Sequence, residues 1–226
     1  MSKKKNIQPE ILEQAIKGIL NYSLQTKRRK FTETIELHFG LKNFDPARDK
    51  RIAGSTQLPH DARLKLKVLV LGNEKHIDEA KKMGLEFRSI DDLKRINRDK
   101  KTVKTMGKQF DKILASGNII RQVPRFLGPT LSKMGKFPTA IRPNETVEEK
   151  ISPLKKSVKL SVKFKVGSPQ CLSAGIGHVK MTEKEITENV TAAINFTLTL
   201  MKKGWQNVKK IHIKSTMGPP FTIFGL

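Results

Sequence analysis

The segment from Lys27 to Phe39 constrains the fold most strongly, because four consecutive cations run directly into a pattern typical of a β-strand. Apolar residues recur at every second position, which puts them on one face of a strand and the polar residues on the other. The apolar set is Phe31, Ile35, Leu37 and Phe39, and the polar set is Thr32, Thr34, Glu36 and His38. The alternation therefore predicts a strand with one face on a core.

Glu33 breaks this alternation, because it lies in phase with the apolar set. A carboxylate on a core-facing row is costly unless it is paired or hydrogen-bonded, so Glu33 requires a partner or a function. The cations that precede the strand, next to short hydroxyl side chains, fit a phosphate backbone better than a small substrate.

The charge of the whole chain points to the same class of partner. Its 226 residues include 45 Lys and Arg against 21 Asp and Glu, a formal net charge of +24. Such an excess repels itself in a compact chain, which indicates a polyanionic partner. The hydrophobic content of 37% suffices for a core, and the aromatic content of 6% argues against a protein that stacks every base of a single strand on a ring.

Cysteine usage and hydropathy bear on the compartment. Cys171 is the only cysteine, which excludes an intrachain disulfide and favours a reduced, intracellular setting. We find no apolar run long enough for a membrane helix and no signal or transit peptide at the N-terminus. The expected location is cytoplasmic, with possible passage through the nucleus.

Both ends of the chain predict amphipathic helices and half-exposed strands, an α+β pattern. The predicted elements are a helix from Pro9, a strand over residues 158–166, a helix opened by a Thr182–Glu185 capping box and ended by Gly204, and a strand from Val208 to Thr216, with loops at 42–54 and 167–177.

The middle of the chain alternates strands with helices instead. Residues 66–71 form a nearly continuous apolar run, typical of a strand covered on both faces. A helix up to Gly84, a strand at 85–87, a helix capped by Ser89 and Asp92, and a further helix over 103–114 follow. Strand–helix alternation indicates a small α/β unit with a parallel sheet.

Two later segments of this middle part carry prolines. Residues 121–143 are rich in Pro, Gly and cations and predict an extended basic surface loop. A short helix from Glu145 is predicted to end before Pro153.

The predicted fold class is α/β and α+β in two domains. The α+β domain is built from both chain termini, residues 1–64 and 157–226, and the α/β domain, with a Rossmann-like parallel sheet, is inserted at residues 65–156. Two connections side by side form a natural hinge.

No pattern in the chain predicts catalysis, a metal or a cofactor. Gly72 ends the buried strand, but the turn after it has one glycine where a dinucleotide fingerprint needs three. The histidines and Cys171 lack the spacing of metal ligands, and Cys171 has His178 nearby but no third group for nucleophilic catalysis. We therefore expect a protein without enzymatic activity.

The ending Ser215-Thr216-Met217-Gly218-Pro219 allows two interpretations. It is compatible with a plain strand end and turn. Small hydroxyls and a glycine also let an RNA backbone approach closely, and the lysines that precede them supply neutralising charge.

Five sets of motifs occur in the order found in one family. They are Lys30-Phe31-Thr32-Glu33-Thr34, Gly54 with Leu58-Pro59-His60, Leu127-Gly128-Pro129 with Gly135-Lys136-Phe137-Pro138, Gly177-His178-Val179-Lys180-Met181, and Ser215-Thr216-Met217-Gly218-Pro219. In these motifs the chain resembles the L-one family of large-subunit ribosomal proteins, the family of the mobile stalk, over almost its whole length. Asn43-Phe44-Asp45-Pro46, Gly135-Lys136-Phe137-Pro138 and Trp205-Gln206-Asn207-Val208 are similar to the eukaryotic cytosolic branch, called L-ten-a.

The resemblance implies a two-domain protein whose terminal domain holds the rRNA of the stalk near the exit site and assists the release of deacylated tRNA. It implies ribosomal partners, exit-site tRNA and a cytoplasmic location with nucleolar assembly, and neither a membrane nor a small-molecule substrate. The residues implied to face RNA are Lys30, Phe31, Glu33, Thr34, His178, Lys180, Ser215, Thr216, Met217 and Gly218, with secondary contacts from Arg125, Lys133 and Lys136.

Two other functions stay open at this point. A nucleolar ribosome-assembly factor would have the same fold, although such relatives usually carry long basic extensions and lack the Ser-Thr-Met-Gly-Pro ending. A nucleotide-dependent enzyme would use the α/β middle of the chain.

Overall fold

A computed structural model of the protein describes residues 7–43, 53–96, 99–127, 129–161 and 170–225. The chain forms two compact units, Met1–Leu64 with Lys155–Leu226 and Lys65–Leu154, here called the terminal unit and the inserted unit. The sequence predicts the second boundary two residues later, after residue 156. The predicted fold class, an α+β unit with an α/β unit inserted into it, is confirmed.

The elements follow in chain order. The helices are α1 (Pro9–Asn21), α2 (Glu74–Lys82), α3 (Ile90–Ile96), α4 (Lys100–Gln109), α5 (Gly117–Ile120), α6 (Val123–Leu127), α7 (Pro129–Lys133), α8 (Val147–Lys156) and α9 (Glu183–Leu200). The strands are β1 (Thr34–Leu41), β2 (Ala53–Gln57), β3 (Val68–Leu71), β4 (Glu86–Arg88), β5 (Lys112–Ser116), β6 (Thr139–Ile141), β7 (Ser157–Ser161), β8 (Cys171–His178), β9 (Val208–Ser215) and β10 (Phe221–Phe224). A π-helical turn, Tyr22–Thr26, follows α1, and a 3-10 turn, Gly204–Asn207, precedes β9.

The terminal unit is built on an antiparallel sheet with the strand order β10-β9-β1-β8. Its central strand β1 buries Ile35, Leu37 and Phe39, as the alternation predicts, and these residues share one core with the apolar faces of α1 and α9. The capping box of Thr182 and Glu185 that opens α9 is confirmed. Strands β2 and β7 form a separate antiparallel pair in the same unit.

The inserted unit contains a parallel sheet with the order β4-β3-β5-β6, which confirms the predicted α/β arrangement. All four residues of β3 are buried, and they alternate between two cores. Leu69 and Leu71 pack with α3, α4, α6 and α7 on one face, whereas Val68 and Val70 pack with α2 and α8 on the other. The sheet is therefore covered by helices on both faces.

The prediction of an extended loop over residues 121–143 is wrong, because this segment contains α6, α7 and β6. Val123, Leu127 and Leu131 recur at intervals of four residues and are all buried, so their apolar contacts hold two short helices against the core. Pro129 begins α7 at the position where a missing N–H costs least.

Three helix ends also differ from the prediction. The helix predicted over 103–114 ends at Gln109, because Ile113 and Leu114 belong to the buried strand β5, which pairs with β3. Helix α8 continues through Pro153 to Lys156, because Ile151 and Leu154, on either side of the proline, both pack on the core. Helix α9 ends at Leu200 rather than at Gly204, because Met201 turns to an extended conformation and its side chain enters the core. Gly204 has a left-handed φ of 49° and opens the 3-10 turn instead.

Residues 167–177 are not a loop throughout, because β8 begins at Cys171. Leu172, Ala174 and Ile176 alternate into the core and pair with β1, while small residues between them conceal the pattern. Strands β2 and β10 were likewise not expected from the sequence. Three predicted segments lie partly outside the described part of the chain: residues 44–52 of the loop at 42–54, residues 162–166 of the strand at 158–166, and residues 167–169 of the loop at 167–177.

Candidate nucleic-acid interface

Three predicted RNA-facing segments meet at one end of the terminal unit's sheet. Because β1 is central, Ile35 near its start lies opposite both Gly177 of β8 and Ser215 of β9. The segment Lys30–Thr34 before β1, the turn His178–Lys180 and the turn Ser215–Gly218 are consequently neighbours. Residues nearly 190 positions apart in sequence thus share one surface.

Backbone hydrogen bonds fix these three segments to one another. The Val179 N–H donates to Glu33 O at 3.1 Å, and the Thr216 N–H donates to Thr34 O at 3.0 Å. The Thr216 hydroxyl accepts from the Thr34 N–H at 3.0 Å and lies 3.2 Å from Thr34 O. The side chain of Thr216 therefore extends the β1–β9 pairing beyond the end of β9.

A buried polar cluster lies beneath this surface. Glu33 is only 3% exposed, and its Oε2 accepts from the Ser23 hydroxyl at 2.9 Å. Ser23 Oγ also lies 3.0 Å from Ser215 Oγ, and Ser215 is 1% exposed. A hydroxyl has one proton, so with Ser23 donating to the carboxylate, both contacts are satisfied when Ser215 donates to Ser23.

The second carboxylate oxygen of Glu33 lies next to a cation. Arg29 Nε is 3.8 Å from Glu33 Oε1, too long for a hydrogen bond, and neither atom has a hydrogen-bond partner although both are buried. Glu33 lies in phase with the buried residues of β1, as the sequence predicts, and its partners are Ser23 and Arg29. The carboxylate is close enough to attract the Arg29 guanidinium, although no hydrogen bond joins these two atoms.

The exposed members of the set carry charge or large apolar surface. Lys30 and Lys180 are exposed, and Phe31 and Met217 are 53% and 52% exposed. Phe31 precedes β1, so the prediction that it shares the buried face of Ile35 is wrong. A groove of about 240 Å³ opens here, lined by Arg28, Arg29, Lys30, Phe31, Glu33 and Lys180 among others.

Gly218 allows the closest approach of the backbone. A Cβ at this position would collide with Ser215 Oγ and come within 3.4 Å of the Tyr22 ring. The Gly218 N–H donates to Ser215 O at 3.2 Å, which closes the turn. A glycine is thus required to bring Met217 to the surface beside the buried serines.

The pKa of His178 departs from its ordinary value. Burial lowers the pKa of His178, the Glu185 carboxylate opposes this, and Lys180 lowers it further. Its Nδ1 is buried and has no hydrogen-bond partner. The imidazole is therefore neutral at pH 7 and gains a proton only under more acidic conditions than an ordinary histidine.

Comparison with known proteins identifies the family. The model of the Ribosomal protein L1p/L10e family matches residues 23–219. The chain belongs to this family. The match includes all three converging segments and the buried Ser23, and the resemblance based on the motifs is confirmed.

Curated relatives of the L1p/L10e family match nearly the full chain. The protein is 45% identical over 218 residues to large ribosomal subunit protein uL1 of Oryza sativa subsp. japonica and to uL1z of Arabidopsis thaliana, with 96% of this chain and 99% of each relative covered. It is 44% identical over 215 residues to uL1 of Drosophila melanogaster, with coverage of 95% and 97%. These are names of ribosomal proteins and not of enzymes, which supports the expectation of no enzymatic activity.

The three predicted secondary cations of this L1p/L10e chain lie in the inserted unit. Arg125 and Lys133 are exposed on α6 and α7. The Lys136 ammonium instead donates to Phe110 O at the C-terminal end of α4, at 2.7 Å, and is partly buried. Lys136 therefore has a structural partner.

Ser23 and Arg29 are the residues of the site that the sequence did not reveal. A buried acid needs partners, and Arg29 lies four positions before Glu33, but the segment between them is not helical and its spacing predicts no contact. Ser23 approaches Glu33 only because the π-helical turn continues α1 beyond Asn21.

Neither a metal site nor a membrane helix is found within the described ranges. No three His, Cys, Asp or Glu side chains cluster there in a way that would hold an ion. The helices of the same ranges are too short or too polar to cross a membrane.

Proposed function

We propose that the protein is a structural constituent of the large ribosomal subunit that binds the rRNA of the mobile stalk through the end of its terminal unit's sheet. The observation that carries the proposal is the convergence of Lys30–Thr34, His178–Lys180 and Ser215–Gly218 on one surface. Family membership, the names of the relatives and the charge of +24 support it.

The proposed roles follow from exposure. Lys30 and Lys180 neutralise phosphates, and Phe31 and Met217 provide apolar surface for a base or a ribose. Gly218 keeps the backbone accessible, while Thr34 and Thr216 fix the position of this turn. Glu33 and Ser215 are buried beneath the surface and act indirectly: Glu33 holds Arg29 and Ser23 in position, and Ser215 bonds to Ser23. His178 contributes a neutral ring at pH 7.

In the proposed setting the protein works on cytoplasmic ribosomes after assembly in the nucleolus. Its stalk contacts exit-site tRNA and assists the release of deacylated tRNA. The contribution of the protein is then mechanical, since two units joined by two connections can move relative to each other as a hinge.

A titration with stalk rRNA tests the site. Met217→Ala removes an exposed apolar side chain and is expected to weaken binding by about 5- to 150-fold, because a lost contact of this kind costs about 1–3 kcal/mol. Met83→Ala, which removes a methionine from the end of α2 that is 40% exposed against 52% for Met217, is the control and should leave the affinity unchanged. Equal affinities for the two variants would contradict the assignment of Met217.

Sedimentation of a tagged copy separates the proposal from an assembly factor. A constituent of the large subunit is expected to travel with mature subunits and with translating ribosomes. A protein found only with precursor particles would be an assembly factor instead.

A further inference from the structure

Helix α4 of the inserted unit has an unusual distribution of charge. Its buried face consists of Val103, Met106 and Gly107. Asp99 caps the N-terminus of the helix, and its carboxylate accepts hydrogen bonds from the Lys101 and Thr102 N–H groups. The one acid at this helix is thus engaged by the helix's own N-terminus.

The solvent side of α4 carries four lysines, Lys100, Lys101, Lys104 and Lys108, here called the lysine stripe. At 3.6 residues per turn they fall within about 100° of the helix circumference, so they form one row and not a ring. All four are exposed, and none has an ion pair with any residue that the structure describes. The carboxylate of Asp99 interacts electrostatically with Lys101, but it forms no ion pair with any of the four lysines.

The opposite face of the same sheet provides a contrast. Helices α2 and α8 also carry lysines, but acids are interleaved with them. Lys81 pairs with Asp78 at 3.2 Å and Lys150 with Glu145 at 2.8 Å. The lysines of α4 are therefore without ion pairs among the described residues, whereas lysines of α2, of α8 and also of α3, where Lys94 pairs with Asp91 at 2.9 Å, have acidic partners.

Repulsion between the lysines of the stripe destabilises helix α4. Lys100 and Lys104, and again Lys104 and Lys108, are four residues apart, where like charges repel and destabilise a helix. Binding of a polyanion would remove this repulsion, whereas a merely solvated surface gains nothing from four aligned cations. The spacing favours a ligand with a regular row of negative charges.

We propose that the lysine stripe is a second RNA site that binds phosphates irrespective of base sequence. This inference rests on the proposed function, since it adds a partner surface to an RNA-binding protein. The proposal places the secondary RNA contact of the inserted unit on α4 and not on the segment 125–136 expected from the sequence, because Lys136 is already bonded to Phe110 O.

The test measures how the affinity of the full chain for RNA depends on salt. In the triple variant Lys100→Gln/Lys104→Gln/Lys108→Gln, the slope of log K against log salt is expected to fall in magnitude by about 2–3, because each lost phosphate contact contributes about 0.7–0.9. Glutamine is a good helix former, so α4 should persist, and circular dichroism checks this. The variant with arginine at the same three positions should keep the slope of the wild type.

The matched control is Lys75→Gln/Lys81→Gln/Lys82→Gln, which removes the same charge from α2. Its slope should stay close to that of the wild type. An equal loss of slope in both triple variants would mean that only net charge matters and would overturn the proposal. An unchanged slope in the α4 variant would also overturn it and would suggest an acidic protein as the partner of the stripe.

Two RNAs distinguish this inference from the proposed function. Removal of the stripe in the triple glutamine variant should reduce the magnitude of the slope equally for stalk rRNA and for a scrambled duplex of the same length. If the wild type bound both RNAs with the same affinity, stalk recognition would fail, yet a difference between the α4 and α2 variants would still support the stripe. If stalk rRNA were preferred and the two triple variants behaved alike, the stripe would fail and stalk recognition would stand.

Discussion

Glu33→Gln exchanges one carboxylate oxygen for an amide nitrogen and keeps the shape of a buried side chain. In the wild type, Ser23 donates to Glu33 at 2.9 Å and Arg29 lies 3.8 Å away. A hydrogen bond to a charged acceptor contributes about 1.5–3 kcal/mol against about 0.5–1.5 kcal/mol for a neutral one, so roughly 1–1.5 kcal/mol is lost at Ser23. Arg29 is 27% exposed, so losing its pairing adds at most about 1 kcal/mol.

The expected destabilisation of the terminal unit is therefore about 1–2.5 kcal/mol. This lowers its Tm by roughly 2–10 °C, which a thermal melt followed by circular dichroism would detect. The affinity for stalk rRNA should fall by about 5- to 150-fold, because Arg29 is then no longer oriented toward the groove. Filter binding at fixed salt measures this loss.

Glu36→Gln is the matched control, since it makes the same chemical change on the other face of β1. Glu36 is one-third exposed and its Oε2 lies 3.2 Å from His38 Nε2, so the stability should change by no more than about 0.5 kcal/mol. A double-mutant cycle with Arg29→Gln gives the coupling between Glu33 and Arg29 directly. The reasoning fails if Glu33→Gln behaves like Glu36→Gln, or if the effects of Glu33→Gln and Arg29→Gln on RNA affinity are additive.

Two further predictions concern pH and helix α8. Burial holds the pKa of His178 below its ordinary value, so as the pH falls the imidazole is protonated in the unfolded chain before it is protonated in the folded protein. The free energy of unfolding should therefore decrease as the pH drops below about 6.5. His178→Gln should reduce this decrease, which denaturant titrations at several pH values would measure. An identical pH dependence in wild type and variant would contradict the buried, neutral ring. Pro153→Ala restores a backbone N–H inside α8 and should raise stability by about 1–3 kcal/mol in a thermal melt. A lower Tm for the variant than for the wild type would contradict this.

The sequence predicted most reliably where one pattern acted alone. The period of two in β1 and the capping box at Thr182 each correspond to a local physical requirement, burial of one face in the first case and satisfaction of free N–H groups in the second. The nearly continuous apolar run of β3 likewise predicted a strand buried between two helical layers.

The prediction failed where composition and packing disagreed. Small residues between Leu172 and Ile176 look like a loop, but pairing with β1 makes this segment a strand. The prolines and glycines of residues 121–143 likewise suggest a loop, although Val123, Leu127 and Leu131 supply enough burial for two short helices. Tertiary contacts decide such segments, and periodicity over a few residues does not reveal them.

The candidate site shows the same limit. The unusual position of Glu33 was visible in the sequence, and so was the need for a partner. Its hydrogen-bond partner Ser23 comes from the turn that ends a helix, and Ser215, which bonds to Ser23, comes from a strand 192 residues further along the chain. Only the pairing of β9 with β1 brings them under one surface.

Hydrogen–deuterium exchange of the full chain, with and without stalk rRNA, tests the shared RNA surface most directly. Peptides that cover residues 30–34, 178–180 and 215–218 are expected to exchange more slowly when RNA is bound, and to do so together. Peptides of α2 should not change. Slower exchange in only one of the three segments, or in none of them, would contradict the claim that both ends of the chain build a single RNA-binding surface.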